Sequence, residues 1–148
     1  MTDREIESIV RELADKEGIR DLVRRYAHCV WKEDADGAID LFADDGQMEI
    51  GERSITGREA LLGAYRAMLV GLDLQPFVHN HVIELAVDRA AGTCYLDLRA
   101  TMDGKSMLGS GRYDDRYVRT AKGWKFASRR LTMKFLVPVQ DGWSKKPE

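Results

Sequence analysis

Residues 106–137 read SMLGSGRYDDRYVRTAKGWKFASRRLTMKFLV. The stretch alternates with period two on both sides of Thr120-Ala121-Lys122-Gly123. That pattern predicts two long strands, near 106–119 and 123–137, joined by a short turn. Working back, the same alternation places strands near 93–102 and 77–87. Their turns are Met102-Asp103-Gly104-Lys105 and Asp88-Arg89-Ala90-Ala91-Gly92. Consecutive strands with short connections pair antiparallel. Gly109 and Gly111, inside a long strand, mark a bend or bulge.

Before Phe77 the period is helical. Ile6, Ile9, Val10 and Leu13 recur at spacings of three and four. After Asp15, a candidate cap, Ile19, Leu22, Val23, Tyr26, Ala27 and Val30 continue the pattern. Asp34 is placed to cap a short helix carrying Ala38, Leu41 and Phe42. Asp44-Asp45-Gly46 reads as a turn, with a short strand through Met48 and Ile50. Gly57 and Arg58 open a third helix with Leu61, Leu62, Tyr65, Met68 and Leu69 on one face. Helices first and strands afterwards predict an α+β fold.

The chain has 148 residues, 44% apolar and 32% charged, the composition of one folded domain. Its formal charge of −2 offers no basic field for nucleic acid. No apolar run is long enough to span a bilayer, and the acidic N-terminus has no signal core. A cytoplasmic protein is expected, with Cys29 and Cys94 as reduced, small buried residues. The final residues, from Trp143 to Glu148, read as a loose tail.

Four groups of residues carry a family resemblance. They are Tyr26-Ala27 with Asp34 and Leu41-Phe42-Ala43-Asp44-Asp45-Gly46; Gly57-Arg58-Glu59-Ala60-Leu61; Asn80-His81-Val82-Ile83-Glu84-Leu85; and Gly111 to Arg119 followed by Gly123-Trp124-Lys125-Phe126. In this order and spacing the chain resembles SnoaL-like proteins of the nuclear-transport-factor-2-like superfamily over about residues 5–138. The resemblance implies a cone-shaped α+β barrel. Helices would close one end of a strongly curved, mostly antiparallel sheet around a deep apolar pocket. It implies cofactor-independent chemistry on a small hydrophobic molecule, as in the superfamily's dehydratases, dehydrochlorinases, cyclases and isomerases. Assembly as a homodimer or homotrimer through the outer sheet face is also implied.

Dehydratase-type and dehydrochlorinase-type members pair a helix Asp with a strand His, the His taking a proton. Carried over by position, the Asp falls on Trp31 and the His on Pro76, so neither is present. The remaining candidates are individual. Tyr26, on the inner helical stripe, is a core tyrosine or a general acid. Trp31 is pocket filler or a stacking wall for an aromatic ligand. In His79-Asn80-His81, alternation puts the two histidines on one face and Asn80 on the other. The resemblance turns Asn80 inward, whereas a bulge would bring in His81 or His79. No nearby residues complete a metal set with the histidines.

Arg112, alternating with Leu108 and Ser110, and Arg130, alternating with Ser128 and Thr132, are expected on the pocket face. There they would stabilise an enolate, phenolate or carboxylate, or they would pair with Asp97, Asp114 or Asp115. Arg129 is expected outside. So are Tyr95, Asp97, Arg99, Tyr113, Asp115 and Tyr117, as an interface surface.

The expected site therefore combines Tyr26, Asn80, His81 and Arg112 as catalytic groups. Trp31, Met48, Met68, His79, Leu96, Leu98 and Arg130 would contact substrate, with no metal and no cofactor. The expected activity is that of a lyase or isomerase on an aromatic or polycyclic, oxygenated substrate, by dehydration, retro-aldol cleavage or double-bond migration. The alternative is a non-catalytic small-molecule binding protein or the small subunit of a ring-hydroxylating oxygenase.

Overall fold

The computed structural model describes residues 1–144. The elements run α1 (Asp3–Trp31), α2 (Ala35–Ile39), β1 (Phe42–Ile50), β2 (Arg53–Thr56), α3 (Arg58–Leu69), β3 (Gln75–Leu85), β4 (Arg89–Met102), β5 (Lys105–Thr120) and β6 (Gly123–Pro138). All strands form one curved sheet of order β2-β1-β6-β5-β4-β3. The helices lie over its inner face, giving the expected cone-like α+β architecture. The sheet is open and mixed, because β1 runs parallel to β6.

α1 opens with a capping box. The Glu5 amide donates to Thr2 Oγ1 and the Thr2 amide to the Glu5 carboxylate. The helix does not break at Asp15. That carboxylate accepts two hydrogen bonds from the Arg119 guanidinium at 2.8 Å and one from Trp124 Nε1 at 3.3 Å. Its side chain is thereby committed to the sheet, not to a cap, and Arg119 holds its pKa below the usual carboxylate value. Downstream of Asp15 the expected stripe is buried, from Ile19 to Val30. Upstream, Ile6, Ile9, Val10 and Leu13 are 44–59% exposed, so the two stripes do not form one buried face.

Asp34 caps α2 as expected, its carboxylate accepting from the Gly37 amide at 2.9 Å. Asp44-Asp45-Gly46 does not reverse the chain. Phe42 pairs with Phe126 and Gln47 with Ser128, so these residues bulge out of one continuous strand. The turn expected over residues 88–92 is narrower, with the Ala86 amide donating to the Arg89 carbonyl. In the expected tail, Trp143 stacks on Phe135 at 5.7 Å. Residues 145–148 of that expectation lie outside the described residues.

Two register shifts decide which side chains face the helices. Between β5 and β6, Arg116 pairs with Ser128 but Tyr117 pairs with Phe126, leaving Ala127 as an extra residue. Phe126 and Arg129 therefore face the same way. Between β3 and β4, Val78 pairs with Leu96 and His81 with Cys94, so one extra residue falls in 79–80. On β5 the inner positions are Gly109, Gly111, Tyr113, Asp115 and Tyr117. Gly111 is required there, because a Cβ would lie 2.5 Å from the Thr132 carbonyl and 2.9 Å from Met133 Sδ.

Candidate functional site

These shifts bring a polar chain into an aromatic core. Arg129 is wholly buried. Its Nε donates to Asp115 Oδ1 at 2.8 Å and its Nη2 to Asp115 Oδ2 at 3.1 Å. The guanidinium carbon lies 3.6 Å from the Tyr113 ring centre and 4.4 Å from those of Tyr26 and Phe126. Burial opposes the Arg129 charge, but the Asp115 carboxylate outweighs burial and keeps the guanidinium protonated. Arg129 Nη1 is buried with no hydrogen-bond partner among the described residues.

The chain continues outward. The Tyr117 hydroxyl donates to Asp115 Oδ2 at 2.9 Å, and His81 Nε2 lies 2.9 Å from the Tyr117 oxygen. His81 is half-buried. Burial pushes its imidazole down to about 4, against the upward pull of Asp115, so the ring is neutral near pH 7. Burial likewise raises the Tyr117 and Tyr113 phenols and keeps both protonated. On the other side of Arg129, the Tyr26 and Tyr65 hydroxyls are 2.6 Å apart. Cys94, packed beside this cluster, is a thiol pushed up to about 11 by burial.

The sequence-predicted residues divide. Tyr26 is buried on the inner stripe, but its hydroxyl is spent on Tyr65. Of the three residues at 79–81, the bulge turns His81 inward. Asn80 is exposed, and His79 is exposed and paired with Asp97 at 2.9 Å. Met48 and Leu96 are buried in the core, with Met68 and Leu98 half-buried against it.

Trp31 is 44% exposed and lies at the end of α1. Its Nε1 donates to the Pro76 carbonyl at 2.7 Å, and its ring meets Phe77 edge-on at 5.4 Å. The two positions where the family pair would sit thus touch each other, filled by an indole and a proline.

Two placements correct the sequence reading. Arg112 lies on the outer face, exposed, in the alternative ion pair with Asp114, at 3.0 Å. Arg130 is also outside, paired with Glu49 at 2.6 Å. The reason is the pleat: β5 presents its odd-numbered residues inward, and Ala127 reverses the alternation of β6 beyond Phe126. By the same reasoning Tyr113, Asp115, Tyr117 and Arg129, expected outside, are inside. Tyr95, Asp97 and Arg99 are exposed outside as expected.

The missed residues had a signal. Along 112–117 the aromatic residues fall only on odd positions, and the even positions carry Arg, Asp and Arg. That contrast marks the odd face as the buried one. The displaced phase of β6 had none, since Ala127 is an unremarkable residue for a strand.

The outer face carries a concavity of about 780 Å³, lined by Gln47, Glu49, Thr93, Asp114, Arg116 and Arg130 among others. No group of three or more His, Cys, Asp or Glu among the described residues is placed to hold a metal ion. No described helix is long and apolar enough to cross a membrane.

Comparison with known proteins places this arrangement. LinA, a hexachlorocyclohexane dehydrochlorinase, superposes with a TM-score of 0.83 at 22% identity, covering 95% of this chain and 99% of its own. A protein of unknown function from Mycobacterium tuberculosis gives 0.80 at 25% identity, covering 90% and 78%. A Novosphingobium aromaticivorans protein assigned as a scytalone dehydratase gives 0.79 at 17% identity, covering 86% and 89%. No curated protein sequence matches the chain. The SnoaL-like domain model matches residues 11–130, and with its helices laid over one curved sheet the chain belongs to the SnoaL-like family.

Proposed function

We propose that this protein is a cofactor-independent lyase or isomerase in which His81 moves the proton that other members move with an Asp–His pair. The observation that carries the reading is the chain from His81 through Tyr117 to the Asp115–Arg129 ion pair. Replacing a buried ion pair by apolar residues of the same volume is often neutral or stabilising, so such a network inside a small core points to a use beyond folding. His81 is neutral and half-buried, the state a proton acceptor needs before reaction. Arg129, wholly buried, holds the positive charge at the inner end of this chain and keeps the Asp115 carboxylate ionised behind Tyr117.

The substrate class is a small aromatic or polycyclic ketone. His81 would take the proton α to the carbonyl, and the electron pair would move onto the carbonyl oxygen. In a β-hydroxyketone the enolate then expels hydroxide, which leaves as water with one proton. Elimination is also the chemistry in the names of two proteins that share this fold. Two unpaired cysteines agree with a reducing, cytoplasmic setting. The charged concavity on the outer sheet face is the surface through which one SnoaL-like domain would meet its copies.

The test uses 1-tetralone in D2O, with proton NMR following exchange at C2, and 3-hydroxy-1-tetralone, which loses water to give 1-naphthol. Exchange or elimination by the wild type that is lost in His81→Gln supports the reading. Equal rates in the two proteins would remove His81 from it. A second reading, binding without chemistry, draws on Trp31 and Pro76 at the pair's positions. It predicts that these ketones bind without exchange.

A further inference from the structure

The directions of the hydrogen bonds around Tyr117 carry one step more. Asp115 is an acceptor only, because both its oxygens are held by the Arg129 guanidinium. A phenol has one proton, and Tyr117 directs it to Asp115 Oδ2 at 2.9 Å. Its oxygen then faces His81 with lone pairs alone. The 2.9 Å approach of His81 Nε2 to that oxygen is a hydrogen bond only if Nε2 carries the hydrogen. With the hydrogen on Nδ1, two lone pairs would oppose each other inside the protein.

The arrangement is built by two backbone features. Tyr117 pairs with Ala90 on β4, yet its phenol reaches past β4 to β3. It crosses at Gly92, where a Cβ would lie 3.2 Å from both the phenol oxygen and Cε2. The extra residue in 79–80 turns His81 toward the incoming phenol.

We propose that Asp115 and Tyr117 lock His81 in its Nε2–H tautomer and leave Nδ1 as the nitrogen with a free lone pair. On the reading of His81 given above, Tyr117 and Asp115 are positioning residues, and the proton is taken at Nδ1. A neutral imidazole carries one hydrogen and its partner decides where it sits.

The test is nitrogen-15 NMR of histidine-labelled protein at pH 7, with the His81 signals identified by their loss in His81→Gln. The expected wild-type pattern is a protonated Nε2 and an unprotonated Nδ1. In Tyr117→Phe, which keeps the ring over Gly92, the Nδ1–H form should rise from undetectable to a measurable minority. In the same variant the maximal rate of 1-tetralone exchange should fall with KM unchanged.

An Nδ1–H wild type, or the same pure tautomer in Tyr117→Phe, would overturn the lock. Should Tyr117→Phe not fold, the wild-type spectrum alone decides. That spectrum needs no substrate, so it separates failure of the lock from failure of the lyase reading.

Discussion

Removing the charge from Arg129 should be the most damaging single change in this protein. In Arg129→Met the aromatic pocket of Tyr26, Tyr113 and Phe126 stays filled with a side chain of similar length. Asp115, however, is 3% exposed and loses both guanidinium hydrogen bonds, keeping only that from Tyr117. Breaking a buried pair from one side costs about 3–5 kcal/mol, because the remaining charge is stranded out of water. At roughly 2–4 °C per kcal/mol for a chain of this size, the melting temperature should fall by about 6–20 °C.

The informative comparison is Arg129→Met with Asp115→Leu. Removing both charges removes the stranded carboxylate, so the double variant should return to within about 1–2 kcal/mol of wild type. Thermal melts and urea titrations of the wild type, both single variants and the double variant form a complete cycle. A single variant within about 1 kcal/mol of wild type, or a double variant as unstable as the two single losses added, would refute the reasoning. The first result would mean that Asp115 reaches water or another partner when Arg129 is gone, and the second that the loss does not come from the stranded carboxylate.

His81 sets the pH response. Its folded pKa, about 4, lies below the ordinary value of 6.5, so between these the unfolded chain binds more protons. Its contribution to stability should be complete above about pH 6.5 and should decline as the pH falls toward 4. His81→Gln should flatten that part of the stability curve, and an NMR titration of the ring that turns over near 6.5 would contradict it. Tyr26→Phe keeps the ring over Arg129 but leaves the Tyr65 hydroxyl without its partner. It should cost about 1–2 kcal/mol, mostly recovered in Tyr26→Phe with Tyr65→Phe, as urea unfolding would measure. Trp31→Asp should fold, because Trp31 is 44% exposed. Losing its hydrogen bond and its contact with Phe77 should cost about 1–2 kcal/mol, and an unfolded product by circular dichroism would place Trp31 in the core after all.

The elements were legible in the sequence because their periods were. The long strands and their turns came from alternation, and α2 from Asp34 and the apolar residues behind it. Facing was harder. Leu108, the long apolar residue of the even-numbered set, pulls the phase to even numbers and so turns Arg112 inward in the sequence. The two glycines on the odd set looked like bends, when they were also inner positions under Met133. Beyond Phe126 the phase could not be read, since a one-residue bulge is a property of the paired strands. Arg129 was therefore hidden, although the whole site turns on it. At 79–81 the sequence left three choices open, and a second bulge selected His81. Asp15 shows the reverse limit: as a residue type it suits a helix cap, but Arg119, far away in the chain, claims the carboxylate and the helix runs on.

The parallel pairing of β1 with β6 joins the first strand of the sheet to its last. The β3–β6 meander can assemble in order from neighbouring hairpins, each closing a short loop. The β1–β2 hairpin has no place in the sheet until β6 has left the ribosome, and it must hold its apolar side chains unsheltered meanwhile. Contacts of such sequence separation slow folding and lengthen the exposure of partly built states. Arg129 is carried on that final strand, so Asp115 waits, hydrated, for its counter-ion until the sheet is almost complete. The sealing of the core and the neutralisation of Asp115 are then a single late event. A chain shortened before β6 would lose both together.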